Sequence, residues 1–213
     1  SAFELFSGRV PLDLVNDAWM MQATMAPSMA VVRRVKRLFD IVFLCLSAVI
    51  LVPVGLLVAL LIKAWAPCSP VFYVQDRVGQ FGRVFRMHKF RTMVENAESS
   101  GGPVWSPKDD LRVTRLGRVL RKFRLDEIPQ LWNVVLGEMS LVGPRPERPE
   151  IVAELQKQIP NYRERENVPP GITGWAQVRY PYADTVEDVA RKLEFDLFYI
   201  KNLSVRLDFQ IVL

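Results

Sequence analysis

Hydrophobic and polar positions along this chain fall into blocks of different period. From Ile41 to Ile62 no charged residue occurs. About 22 residues at 1.5 Å rise make roughly 33 Å of helix, enough to cross the hydrocarbon core of a bilayer. About forty residues precede the run and no small-residue cleavage site follows it, so it does not read as a secretory signal. Pro53 sits mid-run with Gly55 two residues on, and proline bends a helix by removing one amide donor and crowding the preceding turn. Both flanks are basic: Arg33, Arg34, Lys36 and Arg37 come before, Lys63 closes the run, and Arg77, Arg83, Arg86, Lys89 and Arg91 follow. Basic flanks stay on the cytosolic side. A re-entrant helix bent at Pro53 satisfies both flanks, while a simple span satisfies the length. At the bend, Ser47 or another helix is expected to partner the freed backbone groups. At the entrance, Asp40 is expected to pair with Arg37 or an interfacial lysine, or to rest in headgroup water.

Beyond the run the period changes. Val71 and Tyr73, then Val84, Phe85, Met87 and Phe90, alternate on either side of the glycine-bearing stretch Asp76–Gly82, which predicts a β-hairpin within 71–93. Residues 94–110 are polar and rich in Gly, Ser and Pro, a surface loop. Thr114 to Phe123 predicts a helix with Leu116, Val119, Leu120 and Phe123 on its apolar side and Arg115, Arg118, Arg121 and Lys122 on its basic side. Such a helix suits an anionic membrane surface, and equally a solvated face. Further helices are predicted over Leu131–Leu136, stopped by Gly137, over Pro149–Gln158, and from near Thr185, where Thr185 and Asp188 stand at capping-box spacing ahead of Val189, Leu193, Leu197 and Ile200. Residues 1–32 show no clean period and read as a linker or interfacial lead-in, the tail of an upstream domain.

Composition narrows the chemistry. The chain is 50% hydrophobic, carries 24% charged residues and has a formal net charge of +5. That balance points to a polyanionic partner: nucleic acid, anionic lipid or a phosphorylated substrate. Cys45 and Cys68 form no disulfide or zinc framework, which fits a reducing compartment. His88 is the only histidine, so any Ser–His–Asp, Cys–His or multi-His metal site would have to use it. With no motif around it, it reads as a strand residue. No Walker A loop, GxGxxG or internal repeat is present.

The most informative stretch is Arg124-Leu125-Asp126-Glu127-Ile128-Pro129-Gln130. Asp is a good N-cap and Pro is tolerated in a first helical turn, which places Asp126 and Glu127 at a helix N-terminus, a place that favours anions. Acidic residues also stand there simply as caps. A divalent cation would relieve the repulsion between a carboxylate and a phosphate, Mg²⁺ preferring the oxygens of both. Arg121, Lys122 and Arg124 add positive charge nearby. The combination suits phosphoryl transfer to a carboxylate nucleophile. Lys89-Phe90-Arg91-Thr92 and Gly143-Pro144-Arg145-Pro146 add basic groups in turn-rich segments, the prolines pre-organising Arg145 for an anion.

From about Arg33 to its end the chain resembles the bacterial sugar transferase family, the monotopic phosphoglycosyl transferases. The motifs run in order: Arg37-Leu38-Phe39-Asp40, Lys89-Phe90-Arg91-Thr92-Met93, Leu125-Asp126-Glu127-Ile128-Pro129-Gln130, Asn133-Val134, Gly137-Glu138-Met139-Ser140-Leu141-Val142-Gly143-Pro144-Arg145-Pro146, and Pro170-Gly171-Ile172-Thr173-Gly174-Trp175-Ala176-Gln177-Val178. The resemblance implies transfer of a sugar phosphate from a UDP-sugar to polyprenyl phosphate, usually undecaprenyl phosphate, with release of UMP, as a first membrane step of exopolysaccharide or related glycan assembly. It implies Asp126 as nucleophile and metal ligand, Glu127 as its dyad partner, Mg²⁺ as cofactor, and Lys89, Arg121 and Arg145 among the groups that meet substrate phosphates; Arg91 is grouped with them. It also implies the re-entrant path for Ile41–Ile62.

Two departures stand out. Many members carry Gly-Arg-Asn after the equivalent of Val178, where this chain reads Arg179-Tyr180-Pro181-Tyr182, so Arg179 stands in for the family's donor-binding arginine in a different register. Members also usually continue past the equivalent of Leu213 with more amphipathic helix. The expected fold class is α-rich α+β, in three parts: a lead-in over 1–32, a re-entrant membrane hairpin over 33–66, and a small cytosolic catalytic domain over 67–213 with interfacial helices and a short β-hairpin. The expected place is the cytosolic face of the bacterial inner membrane. Expected partners are the UDP-sugar, the polyprenyl phosphate and membrane lipids, without nucleic acid and with a homodimer left open. A non-catalytic basic membrane scaffold is the rival reading.

Overall fold

The computed structural model describes residues 2–15, 19, 28–94, 110, 112–180 and 185–212, in which helices dominate. The helices are α1 (Ala2–Ser7), α2 (Ser28–Trp65), α3 (Arg115–Lys122), α4 (Gln130–Leu136), α5 (Pro149–Gln158), α6 (Trp175–Arg179), α7 (Val186–Lys201) and α8 (Val205–Val212). The strands are β1 (Phe72–Val78), β2 (Val84–Phe90), β3 (Ser140–Val142) and β4 (Gly171–Thr173). Short 3-10 turns cover Leu12–Leu14, Gln80–Gly82, Leu125–Glu127 and Tyr162–Asn167. The expected α-rich class with a small hairpin is borne out. Most of the polar loop over 94–110 and the Pro181-Tyr182 pair lie outside the described residues.

The apolar run lies within α2, a helix of 38 residues and, among the described residues, the one long and apolar enough to cross a membrane. Leu46, Val49, Ile50, Leu56, Leu57 and Leu60 are exposed along it, an arrangement that water opposes at roughly 25 cal/mol per Å² of apolar surface. Helical structure runs through Pro53, so the residue does not end the helix. It forfeits one amide donor, while its fixed φ is itself helical. The hydroxyl of Ser47 is spent on the Leu44 carbonyl (3.1 Å) and not on a group freed by Pro53.

The chain separates into two compact units. The first comprises Ser1–Phe43, Asp76–Phe85 and Val134–Leu213. Its centre is the apolar side of α7, where Val189, Leu193, Leu197 and Ile200 are buried as their spacing predicts. The predicted capping box is present at Thr185 and Asp188. Around α7 lies a buried polar network: Lys36 of α2 and Asp208 of α8 form an ion pair (2.5 Å). The Tyr199 hydroxyl lies 2.7 Å from Asp208 Oδ1 and 3.1 Å from the Val142 carbonyl. Asp40 is buried and accepts from Ser140 Oγ (2.6 Å), so it is not in headgroup water; of the expected cations, a lysine, Lys36, acts on its charge. Arg37 instead donates to the Val134 and Val135 carbonyls at the end of α4.

Sequence periodicity did not foresee β3 and β4. These three-residue strands pair in parallel, Ser140 opposite Gly171 and Val142 opposite Thr173. Gly143 N donates to Thr173 O and Gly171 N to Pro144 O (both 2.9 Å). A methyl group on Gly171 would collide with the Gly143 backbone, which explains a glycine in both motifs. The turn between β1 and β2 is shorter than predicted, because Asp76, Arg77 and Val78 belong to β1. Val78 N donates to Glu147 O (2.9 Å) and Arg77 to the Pro146 carbonyl (3.1 Å), and these bonds hold that end extended.

The second unit comprises Leu44–Gln75 and Arg86–Asn133. Its core joins Val58 and Ile62 of α2 to Phe90 of β2 and Leu120 of α3, with Val54, Val71, Leu116, Leu125 and Ile128 packed around them. The last turns of α2 are therefore covered by direct sequence neighbours of Lys89, Arg121, Asp126 and Glu127.

Candidate active site

The pattern Leu125-Asp126-Glu127-Ile128 sorts itself by burial chemistry. Leu125 and Ile128 pack on the core of the second unit, and the two acids ride between them. α3 ends at Phe123, and Arg124 adopts a left-handed conformation (φ 57°) that swings the chain into the 3-10 turn Leu125–Glu127. The dyad therefore stands in a turn ahead of α4 and is not its N-cap, as the sequence suggested. Pro129 stands directly ahead of α4, which starts at Gln130, a place where an amide would have no partner within the helix.

Asp126 and Glu127 are only 8% and 7% exposed. Glu127 lies 3.8 Å from Lys89 Nζ and 3.6 Å from Arg124 Nη1. Strand β2 delivers Lys89, and Asn133 of α4 pins that strand. Its amide donates to Arg86 O (2.8 Å) and its carbonyl accepts from His88 N (3.2 Å). His88 is thus the strand residue it was read as. Arg121, in the last turn of α3, donates from Nε to Thr92 Oγ1 (3.0 Å). Thr92 O in turn accepts from Thr114 N (3.0 Å), so the exit of β2 clasps the start of α3.

Burial pushes the Asp126 carboxyl above the usual aspartate range. The neighbouring Glu127 charge adds to that rise, and Lys89 and Arg121 oppose it. The site therefore contains one acid paired with cations and a second whose ionisation is disfavoured by burial and by its neighbour, an arrangement that a positive ion would relieve.

Of the predicted site residues, Asp126, Glu127, Lys89 and Arg121 come together in the second unit. Arg91 lies in the same unit, with its Nε bound to Pro70 O (3.0 Å). Arg145 and Arg179 belong to the first unit. The Arg145 backbone carbonyl accepts from Arg165 (2.9 Å), and the Arg179 guanidinium lies over the Trp175 ring, 4.5 Å from its centroid. Sequence reasoning missed the roles of Thr92 and Asn133, which act across 29 and 45 residues. Both stand in quoted motifs, but no local pattern announces a contact at that separation.

Among the described residues no cluster of three His, Cys, Asp or Glu side chains forms a metal cage. Mg²⁺ is commonly held by one or two carboxylates, with water and phosphate oxygens completing its shell. A buried acid pair in which burial and the Glu127 charge outweigh Lys89 and Arg121 at Asp126 fits that mode.

A buried acidic dyad with convergent lysine and arginine defines a charged site able to meet an anion or a cation. Residues 31–213 match the bacterial sugar transferase family, and the chain belongs to it, as its motifs predicted. It is 42% identical over 209 residues to the UDP-N-acetylgalactosamine-undecaprenyl-phosphate N-acetylgalactosaminephosphotransferase of Aeromonas hydrophila, a match covering 98% of this chain and 48% of that protein. It is 39% identical over 188 residues to the UDP-glucose:undecaprenyl-phosphate glucose-1-phosphate transferase of Escherichia coli K12 (87% of this chain, 40% of that protein). To the uncharacterized sugar transferase EpsL of Bacillus subtilis it is 41% identical over 185 residues, 83% of either chain. The chain spans about half, or less, of the length of the first two relatives.

Proposed function

We propose that this chain is the catalytic part of a phosphoglycosyl transferase that moves a sugar phosphate from a UDP-sugar to polyprenyl phosphate, as the names of its relatives suggest. The observation that carries the reading is the buried Asp126–Glu127 pair facing Lys89 and Arg121. An Asp126 oxygen attacks the sugar-proximal phosphorus. The bond from that phosphorus to the bridging oxygen breaks, and UMP leaves with the electron pair. A lipid phosphate oxygen then attacks the same phosphorus, the aspartyl bond breaks, and a polyprenyl diphosphate sugar forms. Glu127, paired with Lys89 and Arg124, stays ionised beside the nucleophile, and Arg121 offsets charge on the transferring phosphoryl group. Asp126 would hold Mg²⁺, which supplies charge neutralisation between carboxylate and phosphates. Arg145 and Arg179 bind the donor, and the product enters exopolysaccharide or related glycan assembly.

The same reading places α2 in the membrane as a re-entrant element, with the rest of the chain on the cytosolic face. Arg37, near the start of the apolar run, bonds to Val134, near the end of α4. Val58 and Ile62, near the end of the run, pack on Phe90 and Leu120 of the dyad's unit. Basic residues flank both ends of the run, Arg33, Arg34, Lys36 and Arg37 before it and Lys63 at its close, and such flanks stay on the cytosolic side. Gly55 lies close to Ile128, next to Glu127 in sequence, which supports a site at the lipid boundary, where a polyprenyl phosphate presents its head.

Intact protein incubated with a panel of UDP-sugars and Mg²⁺, without lipid, should gain the mass of a sugar phosphate on Asp126 and release UMP. The absence of both across the panel defeats the assignment. Single cysteines on either side of Ile41–Ile62 should be labelled from one membrane face, and labels on opposite faces defeat the topology.

A further inference from the structure

The family match begins at residue 31, yet the described residues ahead of it are bound closely to the first unit. Glu4 pairs with Lys201 (2.9 Å) and Arg9 with Glu194 (3.1 Å), both partners on α7. Val10 is fully buried, and its amide donates to the Glu194 carbonyl (3.0 Å). Trp19 is buried, with Lys201 Nζ over its ring. The Gly8 carbonyl accepts from Trp175 Nε1 (2.7 Å). Gly8 has φ +68°, and a methyl group there would meet Trp175 Cζ2 at 2.9 Å. The indole so held stacks on Phe198 (5.9 Å) and carries the Arg179 guanidinium. The match to the Aeromonas relative covers 98% of this chain and so takes in most of this segment.

We propose that residues 2–15, with Trp19, form a strap whose docking fixes the Trp175 indole and, through it, the direction of Arg179. Gly8 and Trp175 are then positioning residues for the donor, an inference that rests on the proposed function for its donor half. The physical chain is short. A bonded indole edge orients the ring, and the ring's face attracts the guanidinium that must otherwise search its rotamers in water. The strap thus lies outside the family domain while acting on the stretch where this chain departs from the family pattern.

The test uses the full chain in lipid nanodiscs. Hydrogen exchange read by mass spectrometry reports the Val10 amide, and UMP release gives kcat and KM for whichever UDP-sugar the wild type uses. Gly8→Val should expose the Val10 amide and raise KM about three- to tenfold, the range of a cation–π contact, with kcat changed by less than about twofold. Trp175→Phe, which keeps a ring but loses the indole donor, should do the same more mildly without unfolding the unit. In an Arg179→Ala background, Gly8→Val should add nothing further to KM. A lost Val10 protection with unchanged KM overturns the positioning role, and so does an undiminished effect of Gly8→Val when Arg179 is absent. An unprotected Val10 amide in the wild type overturns the strap itself. Should the wild type turn over no UDP-sugar, the proposed function falls, while docking is still decided by the exchange data.

Discussion

Gly117 lies in the first turn of α3, and two physical arguments assign opposite signs to its replacement by alanine. Intrinsic propensity favours alanine in a helix by about 1 kcal/mol. The packing says otherwise. A methyl group there would lie 2.8 Å from the Thr92 carbonyl carbon and 2.9 Å from Thr114 Oγ1, both inside the 3.0 Å that real Cβ contacts essentially never breach, and nearer still to Thr92 O. Backbone stands on one side and the N-cap of the same helix on the other, so α3 must retreat on the order of 1 Å. That movement stretches the Thr114 N–Thr92 O bond (3.0 Å) and the Arg121–Thr92 bond (3.0 Å), each a net contribution of about 1 kcal/mol. It also loosens Leu120 in the core, an overpacking cost of about 1–3 kcal/mol. Less the gain in propensity, Gly117→Ala should destabilise by about 2–4 kcal/mol. Thermal unfolding in nanodiscs, followed by hydrogen exchange of the 112–130 segment, reads the effect. UMP release should fall with it, because α3 leads directly into the turn that holds the dyad. A variant as stable as the wild type and equally active would refute the close approach of α3 to Thr92.

Other substitutions separate chemistry from scaffold. Asp126→Asn should abolish UMP release and yet stabilise the metal-free protein at neutral pH. Burial makes the folded state bind the Asp126 proton more tightly than the unfolded chain does, so its ionisation costs stability above the folded pKa and nothing below the ordinary aspartate range. The gain in Tm, measured with a chelator present, should therefore shrink as pH falls from the raised folded pKa toward about 4, and a gain independent of pH refutes the burial argument. Thr92→Val removes the acceptor of Arg121 Nε and should lower kcat/KM about fivefold, the worth of one hydrogen bond, with a fall in Tm of about 2–4 °C; unchanged kinetics would show that Arg121 needs no such support. Lys36→Met leaves Asp208 as an uncompensated buried charge and should cost about 3–5 kcal/mol, whereas Lys36→Met with Asp208→Leu should recover most of it. A double variant no better than the single one shows that the ion pair contributes more than mutual neutralisation.

Much of the fold was legible wherever one local rule decided the outcome. The helix over Arg115–Lys122, the one over Pro149–Gln158 and the capping box at Thr185 follow from periodicity and cap chemistry alone. Legibility ended where tertiary contacts decide. Asp40 looked like an interfacial acid because its neighbours in sequence are lipid-like, but its partner is Ser140, a hundred residues away. Lys36 and Arg37 looked like a topogenic charge cluster, yet both are spent on buried or backbone partners. The paired strands β3 and β4 are three residues long, too short to show a period. At the site, the acid pair was visible as an unusual dipeptide, while its mounting in a 3-10 turn depends on the left-handed Arg124, which no rule for non-glycine residues would propose.

The motifs that reveal the family do two different jobs. Gly171 and Gly143 are demanded by the close approach of two backbones, and Asn133 by an unpaired strand edge. Asp40 and Ser140 bind each other in the first unit. These residues build the scaffold and are indifferent to which sugar arrives. On the proposed function, Asp126, Glu127, Lys89 and Arg121 handle phosphate, which every UDP-sugar shares. Neither group can choose the sugar. That choice must fall to residues whose surroundings differ between members, and Arg179, held over Trp175 at the point where the family pattern lapses, is of this kind. The features that make the chain easy to place in a family are thus the ones that leave its donor open. Substitutions around Trp175 and Arg179 should shift preference within a UDP-sugar panel, whereas substitutions at the dyad should lower turnover of every donor alike.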